Sequence, residues 1–274
     1  FKPSSRILGY EISGAIEKIG NTVKGLAVGE DVVAVLPLDV GGGFAEYVAV
    51  ASDYVVKRPS TVTDQEGAAI LSEGITAFTA LHYHCRVASG ESILVLNGAS
   101  NQGWLCVQLA AHFGLRVFST TSNKDDYNFL NGSGAKIVRV FDLTAESLVE
   151  ASMEETGQLG FDHIIQLDSL STHNPAISRL DLIRCLAPHG TWITSENLQL
   201  DPPESTILLR KGARLGFLFS PLWQLAPTQQ GRFMHIINEI MQLAGCAVLK
   251  ARSITVYPLE RARQALRDLP LKPG

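Results

Sequence analysis

Cysteine is scarce in this chain: four residues in 274, at positions 85, 106, 185 and 246, and no two of them form a Cys-x-x-Cys pair. A disulfide framework is therefore not expected in a chain this long, and the compartment reads as reducing and cytoplasmic. Long apolar runs are also missing. Val32-Val33-Ala34-Val35-Leu36 is typical of their length, whereas a membrane-spanning helix needs about 20 residues. Phe1-Lys2-Pro3-Ser4-Ser5-Arg6 carries no signal-peptide pattern. There is no excess of basic charge either. Lys plus Arg is 23 against 27 for Asp plus Glu, a net charge of −4. With no basic run, the chain has little to offer a phosphate backbone, so direct nucleic-acid binding is not expected. What is present is apolar content, 46% against 18% charged. That excludes a disordered chain, and the length allows one large or two modest domains.

The first eighty residues read as β. Glu11–Ile19 alternates apolar with small or polar residues, as a half-buried strand does. An apolar strand at 32–36 follows a Gly20-Asn21 turn and Gly29-Glu30-Asp31. Gly41-Gly42-Gly43 breaks the chain before an expected strand over 44–50. Thr63-Asp64-Gln65-Glu66 matches a capping box and predicts a helix start. Short strands between Gly and Pro turns imply a barrel or sandwich.

From Glu91 the pattern changes. Strands are predicted at 92–97, 115–120, 136–141, 163–167, 191–194 and 213–219. Helical spacing falls between the first five, and a last large helix is predicted over 232–243. Such alternation means a parallel sheet covered on both faces. The tail predicts a strand at 254–257 and a short helix at 259–269.

Gly98-Ala99-Ser100-Asn101-Gln102-Gly103 opens the first of these helices directly after its strand. A doubly wound sheet binds a dinucleotide there, through helix N-terminal amides and the helix dipole. Gly98 would make the tight turn and Gly103 would let helix and strand approach. Ser100 stands in the middle position, so the motif is a weakened G-x-G-x-x-G. The same residues also fit a strand-to-helix turn that holds no nucleotide. An NAD site places an acid at the tip of the second strand. Here the sequence is Ser119-Thr120-Thr121-Ser122-Asn123-Lys124, with no acid at the strand tip. Ser122, Asn123 and Lys124 could hold a 2′-phosphate, which favours NADPH, although Asp125-Asp126 weakens the field. A capped helix start with solvated charges remains the alternative.

Gly9-Tyr10-Glu11-Ile12-Ser13-Gly14, Gly29-Glu30-Asp31, Phe44–Val48, Gly74–Leu81 and Val107-Gln108-Leu109-Ala110 together resemble the medium-chain dehydrogenase/reductase superfamily, in its quinone oxidoreductase (zeta-crystallin) branch. The resemblance implies an α/β fold in which a Rossmann doubly wound parallel sheet accompanies a GroES-like β-barrel domain. Residues 1–86 would form the barrel domain, 87–250 the nucleotide-binding domain, and 251–274 would return to the barrel. The family's opening strands, and its last strand after Pro270, have no counterpart, so the barrel is expected to be incomplete. Zinc-dependent members carry His where this chain has Tyr10. The structural zinc loop would need closely spaced thiolates, and only Cys85 precedes Cys106, so no metal is expected. His82, His84 and Cys85 offer too few ligands on one helix face for a closed site.

The resemblance implies NADPH-dependent hydride transfer to a quinone or enone acceptor, with Gly98, Ala99, Ser100 and Gly103 at the pyrophosphate and Thr76 near the nicotinamide. No general acid is identifiable. The resemblance also implies an alternative: a catalytically silent member serving as a subunit of a FERRY-type Rab-effector assembly on early endosomes. A homodimer is compatible with either.

Overall fold

A computed structural model of the chain describes residues 7–38, 42–168 and 177–268. It divides into two units, residues 1–75 with 220–274, and residues 76–219. Part of the Gly41–Gly43 break, and Leu269 at the end of the last expected helix, lie outside the described residues.

In the first unit, β1 (Glu11–Ala15), β2 (Asp31–Val35) and β3 (Val55–Lys57) form an antiparallel sheet in that order. Its register sets Ile12 opposite Ala34 and Val33 opposite Val56. Val32, Ala34 and Val55 make its small core, with Ile12, Ile16, Leu26 and Val50 packed against them. Helix α1 (Asp64–Ala69) starts on the expected capping box, with Thr63 and Glu66 bonding reciprocally.

Two expected strands do not form. Residues 44–50 form no strand among the described residues; Phe44 N–H donates to the Leu8 carbonyl, and Tyr47 is 75% exposed. Residues 254–257 likewise have no ladder, and Val256 is 67% exposed. Alternation of side chains suffices for a strand only when an adjacent strand supplies hydrogen bonds.

The second unit carries six parallel strands in the order β6-β5-β4-β7-β8-β9. They are β4 (Ser92–Val95), β5 (Arg116–Thr121), β6 (Ile137–Asp142), β7 (Phe161–Gln166), β8 (Leu186–Thr194) and β9 (Arg214–Phe217). The crossovers contain α3 (Asn101–His112), α4 (Lys124–Gly132), α5 (Leu148–Glu155), α6 (Arg179–Cys185) and α7 (Pro202–Lys211). Strand β4 is buried end to end and β5 in all but its first residue, Arg116, as a sheet covered on both faces requires. Phe118, Phe141, Phe161 and Trp192 anchor the core, with Phe118 and Phe141 stacked at 6.1 Å between ring centroids. Ahead of this sheet run α2 (Leu71–Phe78) and a π-helical stretch, Thr79–Cys85.

The second unit ends at Phe219. After α8 (Leu222–Leu225), α9 (Gln230–Gly245) groups with the first unit. Its face of Phe233, Ile236, Ile237, Ile240, Met241 and Ala244 follows helical spacing and is buried. Gly74 packs against Ile240, Phe233 meets the Tyr54 ring, and Thr61 Oγ1 donates to the Gly245 carbonyl. The chain closes on α10 (Ala262–Asp268).

Candidate functional site

Strand β4 delivers the chain to the C-terminal edge of the sheet, where Leu96 makes the last ladder bond, to Ile165. Asn97 then turns it. Its φ of 51° is left-handed, a conformation Asn adopts more readily than most residues. Sequence reasoning gave Gly98 the tight turn; the left-handed residue is instead Asn97, and Gly98 is required for space. A Cβ at Gly98 would overlap Ser119 Oγ on the neighbouring strand β5. Gly103 is also required for space. A Cβ there would overlap the Asn97 carbonyl oxygen and stand 2.9 Å from Gly98 Cα. Gly103 thus lets α3 pack closely on the turn that leaves β4.

Ser100 is the N-cap of α3, with extended backbone, and its hydroxyl accepts from the Gly103 N–H at 3.0 Å. The amides of Asn101 and Gln102 in the same first turn have no intrahelical partner. No acidic residue lies in this turn. The α3 end therefore presents amide donors and the positive end of a 12-residue helix.

Side chains of β5 hold the turn from the other side. Thr120 Oγ1 accepts from the Asn97 N–H at 2.9 Å, and Ser119 Oγ accepts from the Gly98 N–H at 3.1 Å while donating to the Val95 carbonyl. Both residues are buried. The sequence places Ser119 and Thr120 in the hydroxyl run of the strand tip, but nothing in a strand's pattern says which hydroxyl faces a turn.

The tip of β5 lies on the same edge, since β4 and β5 pair in parallel. There Asn123 caps α4, accepting from the Asp126 N–H at 2.8 Å, and its amide donates to Asp126 Oδ2 at 2.6 Å. Asn123 is thus committed to Asp126. Lys124, the first residue of α4, is exposed beside it, and Ser122 is half-buried. The structure therefore brings Gly98, Ala99, Ser100 and Gly103 into one turn and sets Ser122–Lys124 at the adjacent strand tip. Thr76 is buried on α2.

Among the described residues, no group of three or more His, Cys, Asp or Glu could hold a metal ion. His84 is held below its ordinary pKa by burial, and burial pushes the Cys85 thiol up to about 12. The raised Cys85 pKa disfavours the thiolate that binds metal tightly, whereas the lowered His84 pKa favours a neutral imidazole. No helix among the described residues is long and apolar enough to cross a membrane.

Residues 1–60 match the alcohol dehydrogenase GroES-like domain. Quinone oxidoreductase-like protein 1 of Mus musculus is 34% identical over 271 residues, covering 94% of this chain and 78% of that protein. The chain belongs to the quinone oxidoreductase family of medium-chain dehydrogenases/reductases. Quinone oxidoreductase of Sus scrofa, another member, is 26% identical over 266 residues, covering 95% and 75% of the two chains. A quinone oxidoreductase structure from Pseudomonas syringae pv. Tomato DC3000 superposes with a TM-score of 0.79 at 20% identity, over 97% of this chain and 79% of that one. The family fold, a GroES-like domain with a Rossmann-like parallel sheet, is the one described above.

Proposed function

We propose that the chain is a zinc-independent, NADPH-dependent reductase that passes hydride to a quinone or enone acceptor. The observation carrying this reading is the α3 end: an acid-free helix N-terminus whose third residue, Gly103, packs on the Asn97 carbonyl with no room for a side chain. That geometry fits a pyrophosphate. The amides of Asn101 and Gln102 would bind it, and Ala99 and Gly98 would line the approach. Ser122 and Lys124 at the β5 tip would meet the 2′-phosphate, with Asn123 fixing the tip through its cap. Thr76 is assigned near the nicotinamide by family likeness alone. The bound nicotinamide would supply the hydride, and the protein would position the acceptor and exclude water.

The test is a fluorescence titration of the purified protein with NADPH and NADH, followed by NADPH oxidation in the presence of a quinone and of an enone. NADPH should bind more tightly and be consumed with an acceptor present. Tighter NADH binding would overturn the cofactor assignment. Elemental analysis should show no stoichiometric zinc, and one zinc per chain would overturn the zinc-independent reading.

One observation favours a second reading. Asp125 and Asp126 occupy the first turn of α4, and Asp126 ties up Asn123. A silent member held as a subunit of an early-endosomal Rab-effector assembly would tolerate such a tip. Absence of nucleotide binding, together with co-purification of the chain in an endosomal complex, would support it.

A further inference from the structure

The strand order β6-β5-β4-β7-β8-β9 changes direction between β4 and β7. In open sheets of this kind, ligands lie in the crevice beyond the strand ends at that point. Two side chains meet across it. Asn97 follows β4, Asp168 follows β7, and Asn97 Nδ2 donates to Asp168 Oδ2 at 3.4 Å. The left-handed backbone of Asn97 places this residue at the bend, immediately before Gly98.

Behind Asp168 stands a buried hydrogen-bond chain. Gln166, 1% exposed, donates through Nε2 to the Asp168 carbonyl at 3.2 Å and to Glu196 Oε2 at 2.8 Å. Gln166 Oε1 in turn accepts from Nε1 of the fully buried Trp192. The main chain at Asp168 is therefore fixed from below, while its side chain is partly exposed at the crevice.

We infer that Asp168 accepts the hydroxyl groups of the ribose on the nicotinamide side of the dinucleotide. The inference rests on the cofactor reading above. With the pyrophosphate at the α3 end and the adenosine half over the β5 tip, the remaining half extends toward β7. The first sugar past the pyrophosphate then meets Asp168, whose carboxylate is anchored one residue from Gly98. A carboxylate only accepts hydrogen bonds, and vicinal hydroxyls donate them. An acid at the second strand tip serves the adenosine ribose in the same way in NAD sites, and β5 of this chain carries none there.

The experiment is calorimetry on the intact chain with two fragments. Adenosine 2′-phosphate 5′-diphosphate ends at the pyrophosphate, and 2′-phospho-ADP-ribose adds the second sugar. Wild type should bind the longer fragment about tenfold more tightly, the scale of a hydrogen bond to a charged group. Asp168→Ala should bind the two equally, with the affinity for the shorter fragment unchanged. A tenfold preference that persists in Asp168→Ala overturns the inference and leaves the cofactor reading standing. A parallel loss for both fragments also overturns it, by showing a structural role. If the shorter fragment fails to bind wild type, the cofactor reading falls and takes this inference with it.

Discussion

Helices α3 and α4 follow neighbouring strands of one sheet and begin alike, yet their first turns are opposites. Each has a polar N-cap, Ser100 or Asn123, whose side chain accepts from the amide three residues on. In α3 that third residue is Gly103, and no acid lies in the turn. In α4 it is Asp126, with Asp125 before it. The cap satisfies one amide in both. The positive end of the dipole is then left open in α3 and neutralised by carboxylates in α4. Fold alone therefore does not make an anion site; the residues of the first turn decide which helix end can receive a phosphate.

The same substitution at the two third positions breaks the comparison most severely. Gly103→Val places a branched side chain onto the Asn97 carbonyl and should cost at least about 3 kcal/mol, the upper end of overpacking penalties. Asp126→Val sits at a partly exposed position and should cost about 1 kcal/mol. Thermal melts of the two variants should differ by several degrees, and nucleotide binding should be lost only in the first.

Removing the caps should give smaller and matched effects. Ser100→Ala and Asn123→Ala should each cost about 1 kcal/mol, whereas Gly at either position should cost only a few tenths. Unequal losses would show that one cap carries more than its helix.

Charge changes sharpen the contrast further. Neutralising Asp125 and Asp126 to Asn should destabilise α4 by about 0.3–1 kcal/mol and raise NADPH affinity. Gln102→Glu should do the reverse at α3, adding a few tenths of stability while weakening nucleotide binding. Both shifts should shrink in high salt, which titrations at two ionic strengths would read.

Burial differs as well, and thiol labelling reports it with the least perturbation. Cys106 lies on the buried face of α3 with its thiol pushed up by burial, and burial also holds the Cys185 thiol up at about 11. Cys85 is buried too, and Cys246 is exposed. At pH 8 the native protein should label rapidly at Cys246 alone, with all four thiols reacting after denaturation. Rapid labelling of Cys106 would contradict the packing described for α3.

Alternation of strand and helix made the sheet legible in the sequence, because burial on both faces leaves continuous apolar strands such as 93–96. The capping box at Thr63 and the glycine turn were legible for the same reason: each is a local pattern with a local cause. Helix α7 was missed although it too had a signal. Asp201-Pro202-Pro203-Glu204 is a capping sequence with proline in the first turn, and Glu204 accepts from the Asp201 N–H at 2.8 Å. The left-handed Asn97 and the hydroxyls of Ser119 and Thr120 were not legible, because they depend on strand neighbours about twenty residues apart in sequence. The missing strands at 44–50 and 254–257 show the converse, a local pattern without a partner to complete it.

In the proposed site the α3 end binds pyrophosphate through its amides, with Ser100 occupying one of them. A titration of NADPH into wild type and Ser100→Gly tests it most directly. Removing the hydroxyl frees the Gly103 N–H and lets the backbone approach the phosphate, at little cost to folding. Binding is expected in both proteins, and tighter in Ser100→Gly; no binding in either would overturn the pyrophosphate site.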